Sequence, residues 1–231
     1  MEYPKLTFKK LSLEDNIEII KWAYSQEDSL DTKNKVTEFF PSINNDNIDE
    51  IVTNEYNKLS KIFDESINNY YENWNSISSE YLSILFNYLN IDSYEDSLTV
   101  FVGILPIAPR DINNREIYIN IGMEKNNFLN IITHEVLHFV WFSKFKSLFP
   151  EISYEEFNAP NFVWIYSELV TPIILNLDSI VKLTHTHEEC LYDFMSGEVM
   201  DSLKNIFDNN NQIDERIREG YEYIKDHFNN K

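Results

Sequence analysis

The chain has 231 residues, of which 43% are hydrophobic and 15% aromatic, so it can bury a substantial core and is not intrinsically disordered. Its formal net charge at pH 7 is −20, and none of its 19 basic residues forms a cluster, which argues against nucleic acid as a partner. We interpret the acidity as a source of solubility in preference to an attraction for basic substrates.

We expect neither a targeting signal nor an internal disulfide in this sequence. The first residues, MEYPKLTFKKLSLED, lack the apolar core of a signal peptide, and nowhere do about 18 uncharged apolar residues run together. We therefore expect a cytoplasmic protein that does not interact with membranes, although export by an unconventional route stays open. Cys190 is the only cysteine, so an internal disulfide is excluded, and we interpret it as a small buried residue.

The first part of the chain, residues 1–95, is predicted to be mainly helical. A short strand is expected at residues 5–11, followed by a helix that begins at Ser12 and ends near Tyr24. Apolar residues then recur at helical spacing, which predicts further helices. Their expected ranges are 33–40, ended by Pro41; 46–74, as one long amphipathic helix; and 78–89.

Two segments rich in β-branched and aromatic residues follow. Residues 98–105 and 116–122 are predicted strands, and the second alternates isoleucines with more polar side chains. The connection between them is too long for a tight hairpin. We therefore predict an α+β fold that is predominantly helical, with a small sheet next to the helix that follows.

That helix contains IITHEVLHFVWF, residues 131–142, an HExxH motif on an almost wholly apolar segment. Helical spacing brings His134 and His138 to one face, so both imidazoles can reach a single Zn²⁺. Glu135 then points at the open coordination position of the metal and can accept a proton from the water there. The alternative is a buried helix whose histidines only form hydrogen bonds with neighbouring groups.

The remaining chain contains a second apolar helix. Residues 162–175 carry Glu168 as their only charged residue, and a carboxylate in such surroundings needs a partner. Pro172 predicts a kink in this helix. The other expected features are an acidic connector at 151–156, a helical segment at 178–183, a polar stretch THTHEE, a helix through Cys190 to Phe207, and a charged final helix at 213–227.

HEVLH at 134–138 followed by SEL at 167–169 resembles the gluzincin metallopeptidases, in which the third zinc ligand is a glutamate on a later helix. The resemblance implies zinc ligation by His134, His138 and Glu168, with Glu135 as the general base. In such enzymes the strand before the active-site helix, here residues 116–122, lines the cleft and pairs with extended substrate.

The resemblance also implies one zincin-like domain over residues 1–231. Within it we expect a helical N-terminal part, residues 1–95, and a second part, residues 96–231, with the sheet, the HExxH helix and the C-terminal helices.

The chain departs from the gluzincin pattern near the third ligand. The interval between His138 and Glu168 is longer than in thermolysin-like members, and Pro172 stands where those have an aspartate. The usual hydrogen-bond partner of the first histidine is therefore missing or replaced. A peptidase also needs a donor for the developing oxyanion, and the candidates are His185, His187 and Tyr192.

Four other glutamates compete with Glu168 for the role of third ligand. We expect them to stay hydrated, because they lie among polar residues, whereas Glu168 lies between apolar ones. The four are Glu155, Glu156, Glu188 and Glu189.

The sequence thus predicts an enzyme, a zinc-dependent metallopeptidase that hydrolyses a peptide or protein substrate through a metal-activated water. One alternative is a zinc-binding protein of the gluzincin fold that serves as a binding or regulatory module, or that acts on a non-peptide amide or ester. Another is a helical interaction protein without metal. The substrate preference and the oligomeric state stay open.

Overall fold

The computed structural model describes residues 2–26, 32–94, 96–189 and 197–229. The protein is mostly helical with one small mixed sheet, which confirms the predicted α+β class. The strands are β1 (Leu6–Lys10), β2 (Leu98–Gly103), β3 (Arg110–Asp111) and β4 (Glu116–Asn120). The helices are α1 (Leu13–Ser25), α2 (Thr32–Phe39), α3 (Ile48–Leu59), α4 (Phe63–Leu89), α5 (Lys125–Leu148), α6 (Phe162–Leu175), α7 (Asp178–Thr184), α8 (Glu198–Asp208) and α9 (Ile213–Asn229).

The chain folds into two compact units. We call one the sheet unit, formed by Pro4–Asn75 and Asp96–Phe128, and the other the motif unit, formed by Met1–Tyr3, Ser76–Glu95 and Leu129–Lys231. The single zincin-like domain and its two sequential parts stay predictions.

The sheet unit contains four strands in the order β1-β2-β4-β3. β1 and β4 both pair in parallel with β2, and β3 pairs antiparallel with β4. The predicted strands at 5–11, 98–105 and 116–122 are confirmed, and Ile117 and Ile119 are buried as the alternation in β4 indicates. β3 was not expected, because its two residues lie within the connecting segment and show no pattern of their own.

A buried asparagine ties α1 to the ends of the strands in the sheet unit. Asn16 is fully buried, and its side-chain amide donates to the carbonyl oxygens of Leu11 and Ser12. Its Oδ1 accepts the Ile104 N–H at 2.9 Å. A Cβ at Gly103 would lie 2.6 Å from this oxygen, so glycine is needed there to let the strand approach.

The helices between residues 46 and 89 differ from the prediction. The expected long helix over 46–74 is interrupted between α3 and α4, and the expected break before residue 78 is absent because α4 continues through it. Apolar residues on both sides of residues 60–62 keep helical spacing, and neither glycine nor proline marks the break, so periodicity could not reveal it. Buried Ile77 keeps the apolar stripe of α4 unbroken through the polar sequence around it.

The motif unit is held by aromatic side chains between helices. Phe145 of α5 packs edge to face against Tyr166 of α6 and Tyr221 of α9, with ring centroids 6.2 and 5.1 Å apart. The buried Tyr166 hydroxyl donates to the Ile217 carbonyl oxygen at 3.0 Å. Lys144 of α5 forms a 2.6 Å ion pair with Asp214 of α9. These contacts set α5, which carries the motif, against α6.

The predicted helices of this unit are largely confirmed. α5 ends just before Phe149, α6 has the predicted bounds, and α7 and α9 lie where the sequence indicated. Four residues of the connector at 151–156 are exposed, as expected, while Ile152 and Glu156 are half-buried. A 3₁₀ turn, Tyr154–Phe157, then buries Phe157 directly after the connector. Cys190 lies outside the described residues.

Across the part of the chain that the structure describes, no helix combines the length and apolar character that a membrane crossing requires.

One tyrosine in the sheet unit supports the turn that leads from β4 into α5. The Tyr70 hydroxyl donates to the Asn120 carbonyl oxygen at 3.0 Å and accepts the Met123 N–H at 2.7 Å. Its ring stacks on Phe128, with centroids 4.4 Å apart.

We expect Tyr70→Phe to lower the free energy of unfolding by about 1–2 kcal/mol, since two backbone groups lose a buried hydrogen-bond partner. Tyr71→Phe is the matched control, because that side chain is 52% exposed. Urea unfolding of both variants measures the difference. Equal stabilities of the two variants would contradict this role for the Tyr70 hydroxyl.

Candidate metal centre

Two histidines of α5 face each other in the motif unit. His134 and His138 lie one helical turn apart, with ring centroids 4.7 Å apart and Nε2 atoms 3.0 Å apart. His138 is fully buried and His134 is 9% exposed. The apolar residues around the motif are buried on nearly all sides of the helix, as the sequence predicted. Both ring nitrogens are thus directed at the same small space.

Glu168 of α6 completes the group. Its side chain is buried, with Oε1 3.4 Å from His138 Nε2 and Oε2 3.7 Å from His134 Nε2. One ligand atom from each of the three residues lies within 4.8 Å of the others. The structure therefore brings together the three residues that the sequence selected as metal ligands, although Glu168 follows His138 by thirty positions in the chain.

The separations of these donor atoms suit a tetrahedral ion. Zinc bonds of about 2.0–2.1 Å place neighbouring ligand atoms about 3.3 Å apart at tetrahedral angles. The observed separations are 3.0, 3.4 and 3.7 Å. Two imidazoles and one carboxylate are also a donor set that zinc prefers in catalytic sites. The three residues are therefore positioned to hold a metal ion.

Glu135 lies beside this group. Its Oε1 is 4.0 Å from His134 Nε2, and its side chain is almost completely buried. Glu135 thus faces the nitrogen that points into the site, although it does not belong to the three-residue group. The role of general base stays a prediction for Glu135.

A further glutamate contacts the opposite side of the His134 ring. Glu188 Oε1 lies 2.8 Å from His134 Nδ1, and Glu188 is only 8% exposed. The expectation that Glu188 stays hydrated among polar residues is therefore wrong, because the loop after α7 turns this side chain inward. Pro172 signalled that the usual aspartate had to be replaced, but nothing in the sequence THTHEE distinguishes Glu188 from Glu189.

The contact with Glu188 determines how His134 can act. A carboxylate accepts hydrogen bonds, so Nδ1 of His134 carries the proton in this contact. In the neutral ring Nε2 then has a free lone pair, and this atom faces His138 and Glu168. Glu188 thus selects the tautomer that a metal ligand needs and holds the ring in position.

The pKa of His134 reflects the same surroundings. Burial lowers it, but the hydrogen bond with Glu188 and the charges of Glu135, Glu168 and Glu188 outweigh that effect and raise the pKa from 6.5 to about 9. The same carboxylates would also favour a dication at this position.

Stacked rings and a buried hydroxyl support the motif. His138 stacks on Phe142 at 5.8 Å, and Phe142 stacks on Phe157 at 4.6 Å. The Tyr81 hydroxyl donates to the carbonyl oxygen of Thr133, the residue before His134, at 2.7 Å. Burial and the charge of Glu188 both raise the pKa of Tyr81, so its hydroxyl stays neutral.

The two candidates for an oxyanion donor that the structure describes, His185 and His187, do not belong to this group. His185 is exposed and ends α7 with a left-handed backbone, φ 58°. His187 is also exposed, and its Nδ1 lies 3.3 Å from Asn176 Oδ1. Tyr192 lies outside the described residues. The oxyanion role, and the pairing of β4 with substrate, stay predictions.

Comparisons of the chain with protein-family models, with curated protein sequences and with solved structures found no significant match. The interpretation of the site therefore depends on its geometry and chemistry.

We expect protein purified without chelator to carry about one zinc ion per chain, and Glu168→Ala to lower its zinc affinity strongly. Two histidines alone hold zinc poorly, and the alanine removes the carboxylate that lies within 3.7 Å of both Nε2 atoms. Glu155→Ala, Glu156→Ala and Glu189→Ala are controls that should leave the affinity unchanged. Metal analysis measures the zinc content, and competition with a chelator measures the zinc affinity. A protein that neither carries nor takes up Zn²⁺ would refute the site.

The raised pKa of His134 predicts a pH dependence of the stability of the metal-free protein. Because folding raises this pKa, protonated His134 contributes fully to stability below about pH 6.5, and the contribution is lost as the pH rises through about 9. The free energy of unfolding should fall over this interval more steeply in the wild type than in His134→Gln. Denaturant unfolding at a series of pH values tests this, and equal slopes would contradict it.

Proposed function

We propose that this protein is a zinc-dependent metallopeptidase of the gluzincin type. The observation that carries the proposal is the group of His134, His138 and Glu168, with donor atoms at tetrahedral separations and with Glu135 beside them. Three protein ligands and one open position are typical of catalytic zinc, whereas structural zinc has four protein ligands.

The bound zinc would supply Lewis-acid chemistry, lowering the pKa of a water molecule and polarising the carbonyl group of the substrate. His134, His138 and Glu168 would hold the ion. Because all three belong to rigid, buried helices, their donor atoms need little reorganisation when the ion binds.

Glu135 is the residue that would move protons. Its carboxylate faces the site and is shielded from solvent, so it can accept the proton of the attacking water. The same group can then deliver that proton to the nitrogen of the leaving amine, as general acid–base catalysis of amide hydrolysis requires. Because Glu135 directly follows His134 in the chain, its carboxylate would lie close to a bound ion without being a fourth protein ligand.

A peptide substrate is supported by the resemblance of HEVLH and SEL to the gluzincin motifs. The residues of the site would serve equally for other amides or for esters, because the attack on the carbonyl carbon is the same. A turnover experiment therefore decides the substrate class.

We expect Glu135→Gln to keep one zinc per chain and the native fold while losing peptide hydrolysis, because the amide keeps the shape of the side chain but accepts no proton. Loss of a general base of this kind lowers the rate by about 10²–10⁴-fold. A library of fluorogenic peptides measures turnover, with zinc content determined in parallel. Glu189→Gln is the matched control, since this neighbour of Glu188 is exposed.

Each departure from this result has a separate meaning. Unchanged turnover would rule out Glu135 as the base. Loss of zinc would identify Glu135 as a ligand. A wild-type protein that holds zinc but cleaves no peptide would favour the binding module or the non-peptide hydrolase.

A further inference from the structure

We propose that Asn176 is a positioning residue of the metal centre, which acts through Glu188 to set the ring of His134. The inference rests on the proposed zinc site and names a residue outside the motifs that suggested it. Asn176 forms hydrogen bonds with the backbone of Glu188, and Glu188 contacts His134, so its effect would be transmitted through the loop that follows α7.

The side-chain amide of Asn176 binds both polar groups of the Glu188 backbone. Its Nδ2 donates to the Glu188 carbonyl oxygen at 2.8 Å, and its Oδ1 accepts the Glu188 N–H at 3.0 Å. Two hydrogen bonds from one planar amide fix both the distance and the orientation of the backbone they hold. Glu188 is thereby attached to the end of α6 although twelve residues separate it from Asn176.

The Glu188 side chain depends on this attachment because it has few anchors of its own. Its Oε1 contacts His134 Nδ1 at 2.8 Å, whereas its Oε2 is buried and has no hydrogen-bond partner among the described residues. One hydrogen bond at the tip of a flexible side chain does not fix the position of the carboxylate. The backbone of Glu188 must be held for the carboxylate to stay in line with Nδ1.

Asn176 also links two parts of the centre. It is the residue that ends α6, the helix that presents Glu168. Glu168 therefore approaches the ring of His134 from its Nε2 side, and Glu188, held by Asn176, approaches the same ring from its Nδ1 side. Through Asn176 both carboxylates are tied to one rigid helix, so the ring of His134 is placed between two groups with a common support.

The test compares Asn176→Ala with Asn161→Ala. Asn161 lies at the opposite end of the same helix, and its side chain also holds a backbone carbonyl, that of Glu155, at 2.8 Å. Partners of a metal-binding histidine typically contribute 10–100-fold to metal affinity. We expect Asn176→Ala to weaken zinc binding about 10-fold and Asn161→Ala to leave it unchanged. Zinc affinity is measured by competition with a chromogenic chelator at constant pH.

A second readout separates positioning from general loss of stability. The chain has only 5 histidines, so ¹⁵N-imidazole NMR of labelled protein can resolve the ring of His134. We expect its Nδ1–H signal to shift or broaden in Asn176→Ala and to be unaffected in Asn161→Ala. If alanine at position 176 prevents folding, Asn176→Ser serves as the second variant.

The double variant Asn176→Ala/Glu188→Ala tests whether Asn176 acts on His134 through the Glu188 carboxylate. If Asn176 acts only through the Glu188 carboxylate, removing Asn176 in the Glu188→Ala background should change zinc affinity by less than about twofold. A full additional loss in that background would overturn the inference, as would equal effects of Asn176→Ala and Asn161→Ala. In both cases a wild-type protein that still binds zinc leaves the proposed function standing. A wild type that binds no zinc overturns both.

Discussion

Burial of charge is the constraint on which the motif unit depends. Glu135, Glu168 and Glu188 are each no more than 8% exposed, and they surround the imidazoles of His134 and His138. A carboxylate buried alone costs several kcal/mol, so the group is stable only if its members satisfy one another or share a cation. The close contacts between the imidazoles and the carboxylates meet this requirement, and a dication at their centre would meet it more completely.

The apolar character of α5 and α6 helps to keep these buried polar groups in contact with one another. Helices that are hydrophobic on nearly all sides are fixed by packing from several directions, and the rings of Phe145, Tyr166 and Tyr221 supply that packing in the motif unit. The positions of the polar groups are thereby determined by a large number of apolar contacts. Such a site would be preorganised for an ion, because its three side chains would not have to be ordered on binding.

The orientation of the first histidine shows how one physical requirement can be met by different parts of a chain. A metal-binding imidazole needs an acceptor at its second nitrogen, which fixes the tautomer. Pro172 has no side-chain acceptor, so α6 cannot supply one from that position. Here the loop after α7 supplies it through Glu188, and Asn176 at the end of α6 holds that loop. The acceptor thus still depends on α6, although indirectly.

Sequence by itself determined what periodicity and local chemistry encode. The strands β1, β2 and β4, the bounds of α6 and the selection of His134, His138 and Glu168 as a possible metal-binding group follow from spacing, residue type and the cost of burying a charge. These signals are local, so each can be recognised without knowing where the rest of the chain lies. Glu168 is the most informative case, because a lone carboxylate in an apolar helix indicates that a partner exists.

Only the tertiary structure decided which groups meet. The break between α3 and α4 leaves the apolar spacing intact on both sides, so packing and not periodicity sets it. Glu188 and Glu189 are neighbours of the same type, yet only Glu188 reaches His134 Nδ1, because the path of the loop after α7 turns that side chain inward. The proposed role of Asn176 likewise depends on contacts that only the tertiary structure shows. Its two hydrogen bonds join residues twelve positions apart, and contacts between distant residues are set by the fold of the whole unit and not by the local sequence.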